Sequence, residues 1–473
     1  MTLDSLTALD WLWWLQLGFI LYFVLLNGTY LVLNVLSMAS LMAYMRERAV
    51  IGEAAPYLGV EPPVSILMPA FNEAATIRTS VRSMLQLQYP EFEVLVINDG
   101  SKDRTLEVLI EEFALVLHPE PVRQSVVHKP IEAIYRSQRY VNLRVIDKAN
   151  GGKADALNAG INVARHGLFC GVDADSILQR DSLLRVVQPF LEDERTIAAG
   201  GTVRIANGSH VRGGFLIQAG LPKSWLARFQ IVEYLRAFLF GRLGWSPLNA
   251  VLIISGAFGL FDREKVIAVG GYRTDTVGED MELVVRLHRY HRQHRIAYRI
   301  RYLPDPICWT ECPQDLGTLG RQRSRWQRGL AESLGRHSRL AFSRRGGTPG
   351  WLAWPFMTLF EWLGPVIELA GYCFMLGGFA LGVVSLSALT LFLLVAVGMG
   401  ILLSVNGLLL ETLSFRVYTR RRDMLQLFLM AVLENLGYRQ LNTLWRCRGL
   451  WQWFSRQRHH WGAMRRDGTW GQN

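Results

Sequence analysis

The stretch Val64-Ser65-Ile66-Leu67-Met68-Pro69-Ala70-Phe71-Asn72-Glu73 decides the fold. Val64 to Met68 is a short apolar, β-branched run that predicts a buried strand, and Pro69 ends it ahead of Ala70 to Glu73. A helix is predicted over 74–87 and a second buried strand over Phe92 to Asn98. Strand, helix, strand in this rhythm predicts a parallel sheet with helices on its faces. In such sheets ligands bind beyond the carboxyl ends of the strands. Both ends carry suitable groups: Ala70, Asn72 and Glu73 after the first, and Asn98-Asp99-Gly100-Ser101-Lys102-Asp103 after the second. Turn and helix-cap chemistry accounts for Ser101 and Asp103. Asp99 is less easily dismissed, because a carboxylate at a strand end can accept hydrogen bonds from a nucleobase or ribose.

The pattern repeats toward the C-terminus. A helix is predicted from Thr105 to Leu117, then a proline-punctuated basic insertion, Pro119 to Arg139, whose role the sequence does not reveal. A third strand, Asn142 to Asp147, opens into Asn150-Gly151-Gly152-Lys153-Ala154-Asp155-Ala156-Leu157-Asn158. A Gly-rich turn with a lysine at a helix start makes an anion site from backbone donors, the helix dipole and one ammonium. It does not fit GxxxxGK(S/T), which counts against a nucleoside-triphosphate hydrolase. A fourth strand, Gly167 to Val172, ends in Asp173-Ala174-Asp175. Alternation along an extended segment would point both carboxylates to one side, toward a Mg²⁺ or Mn²⁺ ion that keeps positions open for phosphate oxygens. A lone DxD can be a solvated turn. Four successive strand ends with groups suited to a nucleotide diphosphate make coincidence a poor account.

In this order the residues resemble a family-2 glycosyltransferase of the GT-A fold, an α/β domain with a Rossmann-like mixed sheet. Gly278-Glu279-Asp280 is similar to that family's (T/G)ED motif, and Gln322-Arg323-Ser324-Arg325-Trp326 to the QxxRW of its processive, membrane-embedded members. The resemblance runs from about Val64 to Leu330. It implies that Ala70, Asn72 and Glu73 line the nucleotide-sugar site and that Asp99 meets the uracil of a UDP-sugar. It further implies that Lys153 and Asp173 hold the nucleotide, Asp175 ligates the metal and Asp280 is the catalytic base. Gln322, Arg325 and Trp326 would line the diphosphate and acceptor site, with Glu279 on the acceptor side. The chemistry agrees: a departing pyrophosphate needs charge neutralisation, which a metal ion and Arg325 can provide, and the acceptor hydroxyl needs a base. Thr276-Val277-Gly278-Glu279 also has the spacing of a capping box for a helix through Leu287, a structural reading of Glu279. Ser255-Gly256-Ala257-Phe258-Gly259 would let backbone approach a sugar closely, or form a tight turn after Val251 to Ile254.

Half of the 473 residues are hydrophobic, more than a soluble core requires. The surplus lies in Trp11 to Met45 and from Trp351 to about Leu410, each longer than the roughly 20 apolar residues that cross a bilayer. The first run is too long for a cleavable signal and lacks a cationic region before it; Trp11, Trp13 and Trp14 suit an interface. The net charge of +11 sits beside apolar spans, at Arg46, Arg48, Arg344, Arg345, Arg416 to Arg422 and Arg446 to Arg466. That is the positive-inside pattern rather than a nucleic-acid footprint, and it favours contact with anionic membrane lipids. The expected organisation is a transmembrane helix in 1–48 and a cytosolic GT-A domain in 49–350. An interfacial helix with two transmembrane helices follows in 351–415, the spans falling at Val366 to Leu386 and Ala388 to Leu410. A basic tail, 416–473, carries a re-entrant or transmembrane helix at Met424 to Leu436. Glu361 and Glu368, seven residues apart, would share a helix face bordering a polymer channel, an idea that fails if an E361Q/E368Q variant exports chains normally. Five cysteines without a CxxC pair argue against a disulfide framework or zinc site.

The sequence therefore leads to a processive, inverting enzyme of the bacterial inner membrane, multi-pass with its catalytic domain cytoplasmic. It would elongate an exopolysaccharide acceptor from a UDP-sugar, UDP-N-acetylglucosamine first, beside accessory export subunits. The one-span start and short tail look most like bacterial poly-N-acetylglucosamine synthases, with hyaluronan-, chitin- and cellulose-type enzymes open. Rival readings are single transfer to a lipid carrier, and an inactive scaffold or export subunit.

Overall fold

The computed structural model describes residues 3–51 and 59–455; the basic run after 455 lies outside the described residues. The strands are β1 (Val64–Ala70), β2 (Phe92–Asp99), β3 (Leu115–Leu117), β4 (Ile131–Ser137), β5 (Leu143–Lys148), β6 (Leu168–Val172), β7 (Ile177–Leu178), β8 (Thr196–Ile205), β9 (His210–Arg212), β10 (Phe215–Gln218), β11 (Phe258–Asp262) and β12 (Arg299–Thr310). Ten of them form one mixed sheet in the order β3-β4-β5-β2-β1-β6-β11-β8-β12-β7. β5, β2, β1 and β6 are parallel neighbours. Sheets covered on both faces need continuous apolar strands, and Val64, Ile66, Leu67, Met68 and Val94 to Ile97 are fully buried. The register sets Ala70 beside Asn98 and Asp99 beside Lys148, so the predicted polar groups gather at one carboxyl edge. β11 then enters antiparallel between β6 and β8.

Two local expectations are corrected. The helix predicted to Leu117 stops at Phe113, because Ala114 turns left-handed (φ 47) and Leu115–Leu117 pairs with β4; cross-strand packing outweighs helix propensity here. The chain at Asp173 is not extended: Ser176 N donates to Asp173 O at 3.0 Å, a turn that breaks the expected alternation. The tight turn expected after Val251 to Ile254 forms, with Phe258 N donating to Ser255 O at 3.1 Å, and the Val251 carbonyl accepts from His288 Nε2 at 2.8 Å.

Among the described residues two helices are long and apolar enough to cross a membrane, Trp11–Arg48 and Leu386–Ser414, and a pair bent by 45°, Pro349–Trp362 with Gly364–Ala380, could form a third span. Pro365 at the bend has no N–H to continue the helix. The carbonyls of Glu361 and Trp362 left open there accept from Gln327 Nε2 at 2.8 and 3.1 Å. Glu361 and Glu368 consequently lie on opposite sides of the bend, not along one helix as their spacing suggested. Glu361 pairs with Arg446 at 2.7 Å and with the Tyr30 hydroxyl. Glu368 accepts from Thr443 at 3.2 Å and borders a small cavity with Asn27, Tyr372 and Arg439. Met424 to Leu436 falls in a helix, Arg421–Leu433, that breaks at Leu436 and Gly437. The helix after it, Arg439–Phe454, packs along Leu316–Arg336.

Candidate active site

The Gly-rich turn is built around two buried charges. Asp99 accepts from Gly152 N at 2.7 Å, Gly151 N at 3.0 Å and Lys148 Nζ at 2.6 Å. Lys148, fully buried, also pairs with Asp155 at 2.6 Å. Glycine is required here: Gly152 has φ 89, and a β-carbon on Gly151 would lie 2.4 Å from Asp155 Oδ1. In this arrangement both Asp99 oxygens fix the turn from which the Lys153–Val163 helix starts. Asn72, Ser101 and Asp103 knit the neighbouring loops. Asn72 N donates to Ser101 Oγ at 3.0 Å and Lys102 N to Asn72 Oδ1 at 2.8 Å. Asp103 accepts from Thr105 N and Ala74 N, both at 3.1 Å. Glu73 Oε2 accepts from Thr76 Oγ1 at 2.8 Å, while Ala70 is buried at the end of β1.

Lys153 is the hub of the acidic cluster. Its ammonium pairs with Asp173, donates to the Gly256 carbonyl at 3.0 Å and lies 3.8 Å from Glu279. Burial pulls its pKa down, but Asp173 and Glu279 outweigh that and hold it raised and charged. Asp280 accepts from Gly256 N at 3.0 Å through one oxygen and from Met281 N at 2.8 Å through the other, which fixes its orientation while leaving lone pairs for a third group. Glycine at 256 admits this approach, since a β-carbon there would lie 2.8 Å from Lys153 Nζ.

The predicted capping box does not form. Gly278 caps the Glu279–His294 helix without a side-chain bond, and Thr276 Oγ1 donates to Glu332 at 2.9 Å instead. Glu279 is buried against the cluster. Burial raises its pKa and Asp280 raises it further, while Lys153 and Arg325 oppose them, leaving it at about 7.

On the Leu316–Arg336 helix, Gln322 is buried with its Oε1 unpartnered. Trp326 is 43% exposed, and the Arg323 guanidinium stacks over its ring at 4.3 Å. Arg323 itself pairs with Glu233 at 2.8 Å. The Arg325 charge is felt at Glu279, which brings the QxxRW helix and the acidic cluster to one site. Asp175 is buried two residues after the partly exposed Asp173. Among the described residues no group of three or more His, Cys, Asp or Glu could hold a metal by itself. Two carboxylates in one turn nevertheless suit a hard cation that completes its shell with diphosphate oxygens and water.

Sequence reasoning missed Lys148 and passed over Asn158. Asn158 clamps the approach to Gly278, accepting from Tyr272 N at 2.7 Å and donating to Tyr272 O at 2.9 Å. It also donates to Val127 O at 3.1 Å, and Asn162 Oδ1 accepts from Ser125 N and Val126 N, both at 3.0 Å. The basic insertion is thereby strapped to the Lys153–Val163 helix. The signal for Asn158 was its place in the Gly-Gly-Lys stretch.

Two family models match the chain, Glycosyl transferase family 2 over residues 65–222 and Glycosyl transferase family group 2 over residues 169–403. Together they span well over half of it. The chain belongs to glycosyltransferase family 2. Its mixed sheet, with the acidic cluster at the carboxyl edge, is the GT-A arrangement of this family-2 chain. It is similar to poly-beta-1,6-N-acetyl-D-glucosamine synthases of Staphylococcus epidermidis, 30% identical over 272 residues, and of Staphylococcus aureus, 31% identical over 274 residues. The match covers 57% of this chain and 55% of each of those proteins, so the chain spans about half the length of the curated relatives it matches. Among solved structures, a mannosyltransferase from Pyrobaculum calidifontis in complex with GDP-Man and Mn²⁺ aligns with a TM-score of 0.49 at 18% identity, covering 87% of this chain and 99% of that one.

Proposed function

We propose that the protein is an inverting, processive β-glycosyltransferase of the bacterial inner membrane, multi-pass with its catalytic domain in the cytoplasm. It extends an exopolysaccharide from UDP-N-acetylglucosamine. The observation that carries this reading is the convergence of Lys153, Asp173, Glu279 and Asp280 at the carboxyl edge, with Arg325 of the QxxRW helix in electrostatic range. The names of the staphylococcal relatives support the choice of sugar.

Asp280, aimed by two backbone amides, takes the proton of the acceptor hydroxyl as its oxygen bonds to the sugar's anomeric carbon and the bond to UDP breaks. Lys153 and Arg325 place positive charge where the diphosphate leaves. Asp175, with Asp173, would hold a Mg²⁺ or Mn²⁺ ion, which neutralises diphosphate charge when bound. Trp326 offers a partly exposed ring for the acceptor sugar. The nucleobase role expected of Asp99 would have to share oxygens that already accept from Lys148 and Gly151 at Oδ1 and from Gly152 at Oδ2.

A second assignment of the base has its own support, since a carboxyl near pKa 7 is poised for proton transfer at neutral pH and Glu279 is in that range. UDP release by purified protein with Mg²⁺ or Mn²⁺, tested against UDP-N-acetylglucosamine, UDP-glucose and UDP-glucuronate, decides the activity and names the donor. Asp280→Asn is expected to lower transfer about 10²- to 10⁴-fold with UDP binding intact. Wild-type turnover in that variant, with loss in Glu279→Gln, would move the base to Glu279. A ladder of products separates polymer synthesis from transfer of one sugar to a lipid carrier.

A further inference from the structure

The Leu316–Arg336 helix continues beyond Trp326, and the turns that follow the QxxRW residues hold the loop that carries Glu279 and Asp280. Gln322, Arg325, Trp326 and Gly329 lie at spacings of three and four, one stripe of a helix. Glu332, Ser333 and Arg336 prolong it. At Gly329 the helix meets Gly278 backbone to backbone: a β-carbon on Gly329 would lie 2.8 Å from Gly278 Cα, and one on Gly278 would lie 2.9 Å from Gly329 Cα. One turn on, Glu332 Oε2 accepts from Thr276 Oγ1 at 2.9 Å and from Val277 N at 3.0 Å, and its Oε1 accepts from Arg328 Nε at 2.7 Å. A further turn on, Arg336 pairs with Asp275 at 2.9 Å.

We propose that Glu332 is a positioning residue of the transferase: it locks the Asp275–Gly278 loop onto the helix that carries Arg325, so that Glu279 and Asp280 face Lys153. This rests on the transferase reading. The argument is geometric. The helix starting at Glu279 has no side-chain cap, so the direction in which it leaves the loop is set by what holds Thr276 to Gly278. Glu332 is the carboxylate that takes both Val277 N and Thr276 Oγ1, and Arg328 orients it. Catalytic groups displaced by about 1 Å lose rate far more than binding. Releasing the loop should therefore lower kcat while leaving the donor KM, set by the strand ends, where it is.

The test pairs Glu332→Ala with the milder Glu332→Gln and Thr276→Val, each measured by hydrogen exchange and by steady-state UDP release in detergent. Loss of the acceptor for Val277 N should speed exchange in a peptide spanning 273–280 at least tenfold in Glu332→Ala, with Glu332→Gln between it and wild type. The kcat of Glu332→Ala should fall about tenfold at unchanged donor KM. The double variant Thr276→Val/Glu332→Ala should lose less than the sum of the two single losses, since both remove the Thr276–Glu332 contact. Wild-type exchange in Glu332→Ala, strictly additive losses, or a raised donor KM with kcat intact would overturn the proposal. Should Glu332→Ala not fold, Glu332→Gln and Thr276→Val carry the same comparisons. If the wild type releases no UDP from any donor, the transferase reading fails, while the exchange rates still decide whether Glu332 holds the loop.

Discussion

At Glu279, burial makes ionisation costly and Asp280 adds to the cost, and Lys153 and Arg325 recover only part of it, so the carboxyl titrates near pH 7 instead of its usual 4.5. The sign of the stability effect follows. A group whose pKa is raised on folding binds its proton more tightly in the folded state, so its contribution is full below the unfolded value and is lost as pH rises through the folded one. Glu279→Gln keeps the shape and removes the ionisation. It is expected to raise the melting temperature at pH 8 and leave it unchanged at pH 4, measured by thermal unfolding in the same detergent. An equal gain at both pH values would mean that packing, not ionisation, sets the cost. His288 shows the opposite shift: burial lowers its pKa to about 4, so it stays neutral, its Nε2 donating to the Val251 carbonyl and its Nδ1 bonding the Tyr298 hydroxyl, both at 2.8 Å. It supports the Glu279–His294 helix from behind without joining the chemistry.

Between elements, glycines set how closely helices approach. A β-carbon on Gly449 would lie 2.3 Å from the Ser324 carbonyl oxygen, at the crossing of the Arg439–Phe454 and Leu316–Arg336 helices, where Ser324 Oγ also donates to Trp445 O at 2.9 Å. Gly449→Ala is therefore expected to cost about 1–3 kcal/mol by overpacking, seen as a lower melting temperature with weaker UDP release. Gly377→Ala, with open space around its position, should change neither. The sequence announced the first helix of this pair through its motif, yet placed the second only within a basic tail. Its partner was invisible because Gly320, Ser324 and Trp445 meet across more than a hundred residues, with no local periodicity to mark the contact. The same limit explains Lys148, whose burial between Asp99 and Asp155 depends on strand register. It also explains the capping-box reading of Glu279, which a distant carboxylate on Glu332 cancels. By contrast the four parallel strands and the Gly-Gly-Lys turn were legible, since apolar runs and the residues that end them are local properties.

For the molecule as a whole, the question is how the sheet is tied to the apolar helices. Arg48 at the end of the first long helix pairs with Asp305 of β12 at 2.9 Å. On the other side, Arg204 of β8 pairs with Glu411 near the end of Leu386–Ser414, both buried. Glu411 also accepts from Val417 N at 3.2 Å, which brings the chain after that helix back onto the sheet beside Trp309. Arg204 keeps two guanidinium nitrogens, Nε and Nη1, without partners, so this pair is incompletely satisfied for its burial. Such a pair is weak as a stabiliser, yet strongly destabilising when broken on one side. Glu411→Leu alone strands a buried guanidinium and should cost about 3–5 kcal/mol. Arg204→Met/Glu411→Leu removes both charges and should regain most of that loss in thermal unfolding. UDP release then separates stability from docking. β12 carries Trp309, which pairs with Ile177 just after Asp175, so a sheet that slips against the span disturbs the carboxylates first. If the charge pair fixes where β8 sits on the helix, the double variant melts like wild type but turns over more slowly. Recovery of both stability and turnover would leave the apolar contacts around Val417 and Trp309 as sufficient to seat the sheet.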